Sequence, residues 1–68
     1  MPLSARNHLK GEITDILLGT VTALITLKVG DNIVESAITK RSTEELNLKK
    51  GDSVRVVVKS TEVMLEKS

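Results

Sequence analysis

The stretch LSARNHLKG, residues 3–11, gathers positive charge and hydrogen-bond donors near the start of the chain. The chain as a whole is nearly neutral, because ten Lys and Arg stand against nine Asp and Glu. Donors without a neighbouring carboxylate suit the binding of an anion. The stretch has no acidic residue, and its basic or polar side chains are those of Arg6, His8, Lys10, Ser4 and Asn7.

A second group of donors lies near the other end, where KST contributes Lys59, Ser60 and Thr61. In a small five-stranded barrel the first strand commonly neighbours a late strand, so the two groups would meet within a subunit or across an interface. Two cations, several hydroxyls and backbone N–H groups would then form an oxyanion pocket. The residues alone leave open a plainer interpretation, in which both groups are solvated strand ends. Thr39 is likewise either a further hydroxyl for this pocket or a strand-end threonine without function.

Apolar residues alternate with polar ones in TVTALITLKV, residues 20–29, and in SVRVVVKS, residues 53–60. This period of two, with many β-branched residues, predicts strands with one buried face. Lys59 falls on the face opposite the alternating valines. We predict further strands at residues 9–17, 33–39 and 62–66. Gly11 is predicted to be either a bulge or a point where strands approach closely, and VGDN, residues 29–32, is predicted to be a turn.

One short helix is predicted at STEELNL, residues 42–48. Ser42 as the N-cap and Glu45 three residues later fit a capping box, and Glu44 adds a second acid to the first turn. The predicted fold class is all-β, a five-stranded OB-like barrel with one short helix between strands 3 and 4. Residues 1–68 are predicted to form a single domain.

The composition offers few residues that could carry out catalysis. The chain has no Cys and one His, and it lacks a nucleophile elbow and a glycine-rich phosphate loop. We therefore expect no enzyme activity, no cofactor and no metal held directly by protein ligands, since His8 cannot build a metal site alone.

Length and composition also bear on partners. A chain of 68 residues without disulfides gains stability most readily from a partner subunit, so a homo-oligomer is expected. No signal peptide or membrane-spanning run is visible, and the absence of Cys suits a cytoplasmic location. The near-zero net charge and the absence of Phe, Tyr and Trp argue against nucleic acid as a partner.

Three motifs in this order, SARNHLKG, SAITKRSTEELNLKKGD and VVVKSTEVML, together resemble the molbindins. These are small cytoplasmic molybdate-binding proteins whose module, the transport-associated OB domain, also occurs in molybdate-responsive regulators and transporter ATPases. The resemblance spans essentially the whole chain. It implies an OB-like barrel in a hexamer, a trimer of dimers, that binds molybdate or tungstate between subunits.

The resemblance also implies site residues. The matching positions are Ser4, the backbone N–H of Ala5, Arg6, Thr39, Lys59 and Ser60. The resemblance also implies a second kind of site nearer the threefold axis. His8 matches no family role, and it and Lys10 are expected to be surface residues.

Molybdate is a tetrahedral dianion that accepts hydrogen bonds and donates none. A pocket of donors alone favours it over hydrogen phosphate, whose own proton would stay unpaired. Rejection of sulfate depends instead on the dimensions of the cavity. The resemblance therefore favours a protein for molybdenum storage and homeostasis. Two competing hypotheses remain. The chain is either a small nucleic-acid-binding β-barrel regulator or a structural assembly module that attracts anions by charge alone.

Overall fold

The structure is a computed structural model that describes residues 6–67. These residues form one antiparallel sheet with the strand order β3-β2-β1-β4. The prediction of a mostly β fold with one short helix between the third and fourth strands is confirmed. The elements in chain order are β1 (Asn7–Leu18), β2 (Thr22–Val29), β3 (Asn32–Thr39), α1 (Lys40–Glu45), β4 (Ser53–Val58) and a 3₁₀ helix (Ser60–Glu62).

The prediction of a closed five-stranded barrel is wrong for residues 6–67, which contain four strands in an unclosed sheet. The fifth strand, predicted at residues 62–66, does not form. A hydrogen bond of 2.9 Å from the Glu62 N–H to the Lys59 carbonyl turns the backbone away from the line of β4. The following residues, 63–67, have no regular structure and are exposed.

The core is small and lies on one face of the sheet. Ala23, Ile25 and Leu27 of β2 are buried together with Ile13 of β1, as the alternation of β2 predicts. Valines at alternate positions of β4 are half-buried, whereas the residues between them are exposed. Val21, which the pattern assigned to the buried face, precedes β2 and is 71% exposed.

Gly11 marks a close approach of strands. A Cβ atom at this buried position would lie 3.2 Å from Val29 Cγ2 and 3.3 Å from Val56 Cγ2. The two valines belong to β2 and β4, so the absence of a side chain lets both pack across β1. The register irregularity of β1 lies elsewhere, between Ile13 and Asp15. Of the two roles predicted for Gly11, the close approach is therefore the one observed.

The N-cap of helix α1 lies three residues before the predicted one. Thr39, with extended backbone, is the N-cap, and its hydroxyl accepts a hydrogen bond from the Ser42 N–H. The assignment of Ser42 as N-cap is therefore wrong, because Ser42 occupies the third helical position. The first turn contains no acid, since the earlier start leaves Glu44 and Glu45 in the last turn rather than the first.

The helix ends in a Schellman motif at Asn47, which has a positive φ of 52°. The Asn47 N–H donates to the Glu44 carbonyl at 3.0 Å, and the Leu48 N–H donates to the Thr43 carbonyl at 3.1 Å. These are the two bonds that define the motif, and they satisfy carbonyls that the helix leaves without partners. No helix within residues 6–67 is both long and apolar enough to cross a membrane.

Candidate anion-binding site

Arg6 and Lys59 lie at the same end of the sheet. The antiparallel pairing of β1 with β4 ends at Asn7 and Val58, which are directly opposite each other. Arg6 is the residue before Asn7 and Lys59 is the residue after Val58. Each cation therefore stands one residue beyond the last pair of the ladder. The topology brings the two donor groups of the sequence to one edge of a single chain.

Both cations are exposed, and neither takes part in the one ion pair among residues 6–67. That pair joins Arg41 Nε to Glu45 Oε1 at 3.1 Å, on the surface of α1. Arg6 and Lys59 therefore remain available to a ligand that carries negative charge. A bound anion would interact favourably with both positive charges.

Ser60 follows Lys59 at the start of the 3₁₀ helix. Its carbonyl accepts from the Val63 N–H, and its side chain is exposed. The 3₁₀ turn leads the chain away from the sheet directly after Lys59. Lys59 and Ser60 therefore both lie at the end of β4. Ser4 and Ala5, the other two predicted ligands of this group, lie outside the described residues.

Thr39 lies far from this group within one chain. It pairs with Thr22 at the end of the β2–β3 ladder, beside the end of β1 marked by Leu18. Arg6 adjoins the opposite end of β1, and at about 3.3 Å per residue that strand has a contour length of roughly 36 Å. The described residues of one chain thus bring Arg6, Lys59 and Ser60 to one end and leave Thr39 at the other.

The Thr39 hydroxyl is already engaged in local hydrogen bonds. It accepts from the Ser42 N–H at 3.0 Å and donates to Ser42 Oγ at 2.8 Å. The Thr39 carbonyl also accepts from the Thr43 hydroxyl at 3.1 Å. The hydroxyl proton would have to turn away from Ser42 Oγ before it could reach an anion.

A second basic cluster lies on the exposed face shared by β1 and β4. Lys10 is directly opposite Arg55, and both line a shallow depression with His8 and Ser53. Like charges at opposed positions destabilise a ladder slightly unless solvent or an anion screens them. The sequence contains these residues but not the register of the strands, so it does not predict that they lie side by side. No three His, Asp or Glu side chains in residues 6–67 are grouped to hold a metal ion.

Comparison with known proteins gives a consistent result. Residues 3–65 match the model of the TOBE domain. The chain is 46% identical over 66 residues to molybdenum-pterin-binding protein 2 of Clostridium pasteurianum, and the match covers 96% of this chain and 97% of the relative.

Solved structures agree with these matches. A molybdate-binding protein from Sporomusa ovata superposes with a TM-score of 0.94 at 37% identity, covering 98% of this chain and all of the other. ModG, a cytoplasmic molybdate-binding protein solved with molybdate bound, superposes with a TM-score of 0.81 at 39% identity. That match covers 88% of this chain and 43% of ModG.

Proposed function

The chain belongs to the TOBE domain family, and from this we propose that it binds molybdate, and also tungstate, as a free oxyanion. The observation that carries the proposal is the position of Arg6 beside Lys59 at one end of the sheet, without an ion-pair partner among residues 6–67. Two cations and the adjacent Ser60 hydroxyl supply donors and no acceptor charge. The Ser4 hydroxyl and the Ala5 N–H are proposed to complete this half of the site.

The site is proposed to lie between subunits. Thr39 lies at the opposite end of β1 from Arg6 and Lys59, so the sheet of one chain does not bring all three together. A second copy whose Thr39 end faces the Arg6 end of the first would do so. This arrangement suits a homo-oligomer, and we propose the hexamer, a trimer of dimers, that the resemblance implies.

Selectivity follows from protonation and size. Molybdate at neutral pH has only acceptors, so a site made only of donors can satisfy it fully. Hydrogen phosphate carries a proton that such a site leaves unpaired, and an unpaired buried donor costs about 1–3 kcal/mol. Sulfate has the charge of molybdate but a smaller radius, so it makes longer contacts in a cavity of molybdate size.

The proposed role is storage and homeostasis of molybdenum in the cytoplasm. Residues 1–68 are proposed to act as a single binding domain that carries out no reaction, holds no further cofactor and binds neither nucleic acid nor membrane. Binding and assembly support each other, because an anion held between subunits stabilises the assembly by mass action.

Isothermal titration calorimetry of the full chain with molybdate, tungstate, sulfate and hydrogen phosphate tests this function. We expect saturable heat with molybdate and tungstate, and binding at least ten times weaker with sulfate and phosphate. Equal affinity for molybdate and sulfate would refute selective molybdate binding and favour attraction by charge alone.

A further inference from the structure

Two basic residues face each other in the middle of the β1–β4 ladder. Lys10 of β1 and Arg55 of β4 are directly opposed, and both side chains are exposed. Directly opposed residues have Cβ atoms about 4.5–5.5 Å apart, so the ammonium and the guanidinium can reach one ligand together. Neither cation has an ion-pair partner among residues 6–67. The ladder therefore presents two adjacent positive charges that a bound anion would stabilise.

The register of the ladder relates this pair to the cations of the proposed site. Extending the pairing by one residue beyond its last pair places Arg6 opposite Lys59. Lys10 and Arg55 stand four residues further along their strands. Since every second residue of a strand points to the same face, all four cations fall on one face of the ladder. About 13 Å of strand separates the two pairs, which is too far for one small anion to contact both.

The surroundings of Lys10 and Arg55 add a donor and little opposing charge. Both residues line a depression of about 470 Å³ that is open to solvent, together with Ser53. That volume holds a small oxyanion and several waters, since liquid water takes about 30 Å³ per molecule. The nearest acid along β1 is Glu12, which is opposite Lys28 of β2. The cluster thus has three cations against one carboxylate.

We propose that Lys10 and Arg55 form a further oxyanion site, complete within one chain. The guanidinium fork and the ammonium donate to the oxygens of a tetrahedral divalent oxyanion, and the Ser53 hydroxyl is a third donor. The sites that the resemblance implies lie between subunits or nearer a threefold axis. This site needs no second chain, and it goes beyond the proposed function.

The open shape of this site predicts weak and unselective binding. Exposed charges are screened by water and salt, so we expect a dissociation constant in the millimolar range. At micromolar molybdate the site is therefore nearly empty. No wall encloses the anion, and the proton of hydrogen phosphate can point to solvent, so its donor is not left unpaired. Sulfate, hydrogen phosphate and molybdate should therefore bind here with similar affinity.

The position of the site has a consequence for molybdate, and this consequence rests on the proposed function. An anion held at Lys10 and Arg55 lies about 13 Å along the strands from Arg6 and Lys59. A line of positive charge on one face raises the local concentration of anions. The open site would thus collect oxyanions beside the selective one.

Proton–nitrogen correlation NMR of the full chain, titrated with sodium sulfate, tests the site. Sodium chloride is withdrawn as sulfate is added, so that ionic strength and general screening stay constant. We expect saturable shifts of the backbone amide signals of Lys10, Ser53 and Arg55. Molybdate at millimolar concentration should move the same three signals.

Two double variants locate the effect, with the Ser53 amide as the reporter. Lys10→Gln combined with Arg55→Gln should raise the half-saturating sulfate concentration at least about fivefold, which corresponds to about 1 kcal/mol. Lys49→Gln combined with Lys50→Gln removes the same charge from an exposed turn and should leave that concentration near the wild-type value. An equal loss in both variants would overturn the inference.

The wild-type titration can overturn the inference by itself. Shifts that grow linearly with sulfate, or that spread evenly over the exposed basic residues, would show attraction by charge without a site. Selective molybdate binding in calorimetry without a saturable sulfate shift at Ser53 would refute this site and leave the proposed function intact. A saturable shift at Ser53 in a chain that does not select molybdate would support this site and refute the proposed function.

Discussion

The Thr39 hydroxyl and Ser42 form a reciprocal pair of hydrogen bonds, in which Ser42 N–H donates at 3.0 Å and Ser42 Oγ accepts at 2.8 Å. Thr39 thus begins α1 and is also a proposed ligand. These two roles predict different responses to substitution, because the first is measured by stability and the second by anion affinity.

Thr39→Ala is expected to lower the free energy of unfolding by about 1 kcal/mol, the usual cost of losing an N-cap hydroxyl. Thr39→Ser should keep the wild-type value, since a serine hydroxyl can make the same bonds. Urea unfolding at a fixed protomer concentration measures both. If Thr39→Ala unfolded at the same urea concentration as the wild type, the capping role would be refuted.

Lys59→Ala is expected to weaken molybdate binding by about 1–3 kcal/mol, as for the loss of a charged hydrogen bond. Lys50→Ala removes the same charge from an exposed turn and serves as the control, with affinity near that of the wild type. Calorimetry measures both. A similar loss in the two variants would show that net charge, rather than the position of Lys59, governs binding.

Asn47→Ala is expected to destabilise the chain by about 1–2 kcal/mol, because alanine pays a steric cost at the positive φ of 52°. Asn47→Gly should be at least as stable as the wild type, since glycine adopts this conformation freely. Thermal unfolding followed by circular dichroism would compare the three chains. An alanine variant as stable as the glycine variant would contradict the Schellman ending of α1.

Gly11→Ala is expected to destabilise the sheet by about 1–3 kcal/mol, the usual cost of adding a methyl group to a packed core. The added Cβ would press on Val29 and Val56 from both sides. Ser53→Ala, on an exposed position of the facing strand, is the control and should change stability little. The midpoint of chemical denaturation measures the stability of each variant. An unchanged midpoint for Gly11→Ala would disprove the close approach of the strands.

The sequence predicted the positions of the strands and the helix better than the pairing of the strands. Alternation located β2 and β4 because a half-buried strand must alternate. The strand predicted at residues 62–66 has no such alternation, and the sequence did not indicate which edge of the sheet would accept it. The start of α1 was misplaced because Thr39 and Ser42 are both good N-cap residues three positions apart. The backbone conformation determines which of the two residues is the N-cap, and the sequence does not show that conformation.

The candidate site shows the same division. The meeting of Arg6 with Lys59 follows from pairing of the first strand with a late one, which barrel topology led us to expect. The separation of Thr39 from them depends on the register of three strands, which no local pattern records. The same holds for Lys10 opposite Arg55.

Native mass spectrometry of the full chain, with and without molybdate, tests the central claim most directly, because one spectrum reports both subunit count and bound anions. We predict a homo-oligomer, with six chains as the expected assembly, whose mass rises by whole molybdate units and which leaves any residual monomer unliganded. A monomer that binds molybdate, or an oligomer whose mass does not change when molybdate is added, would contradict a molybdate site between subunits.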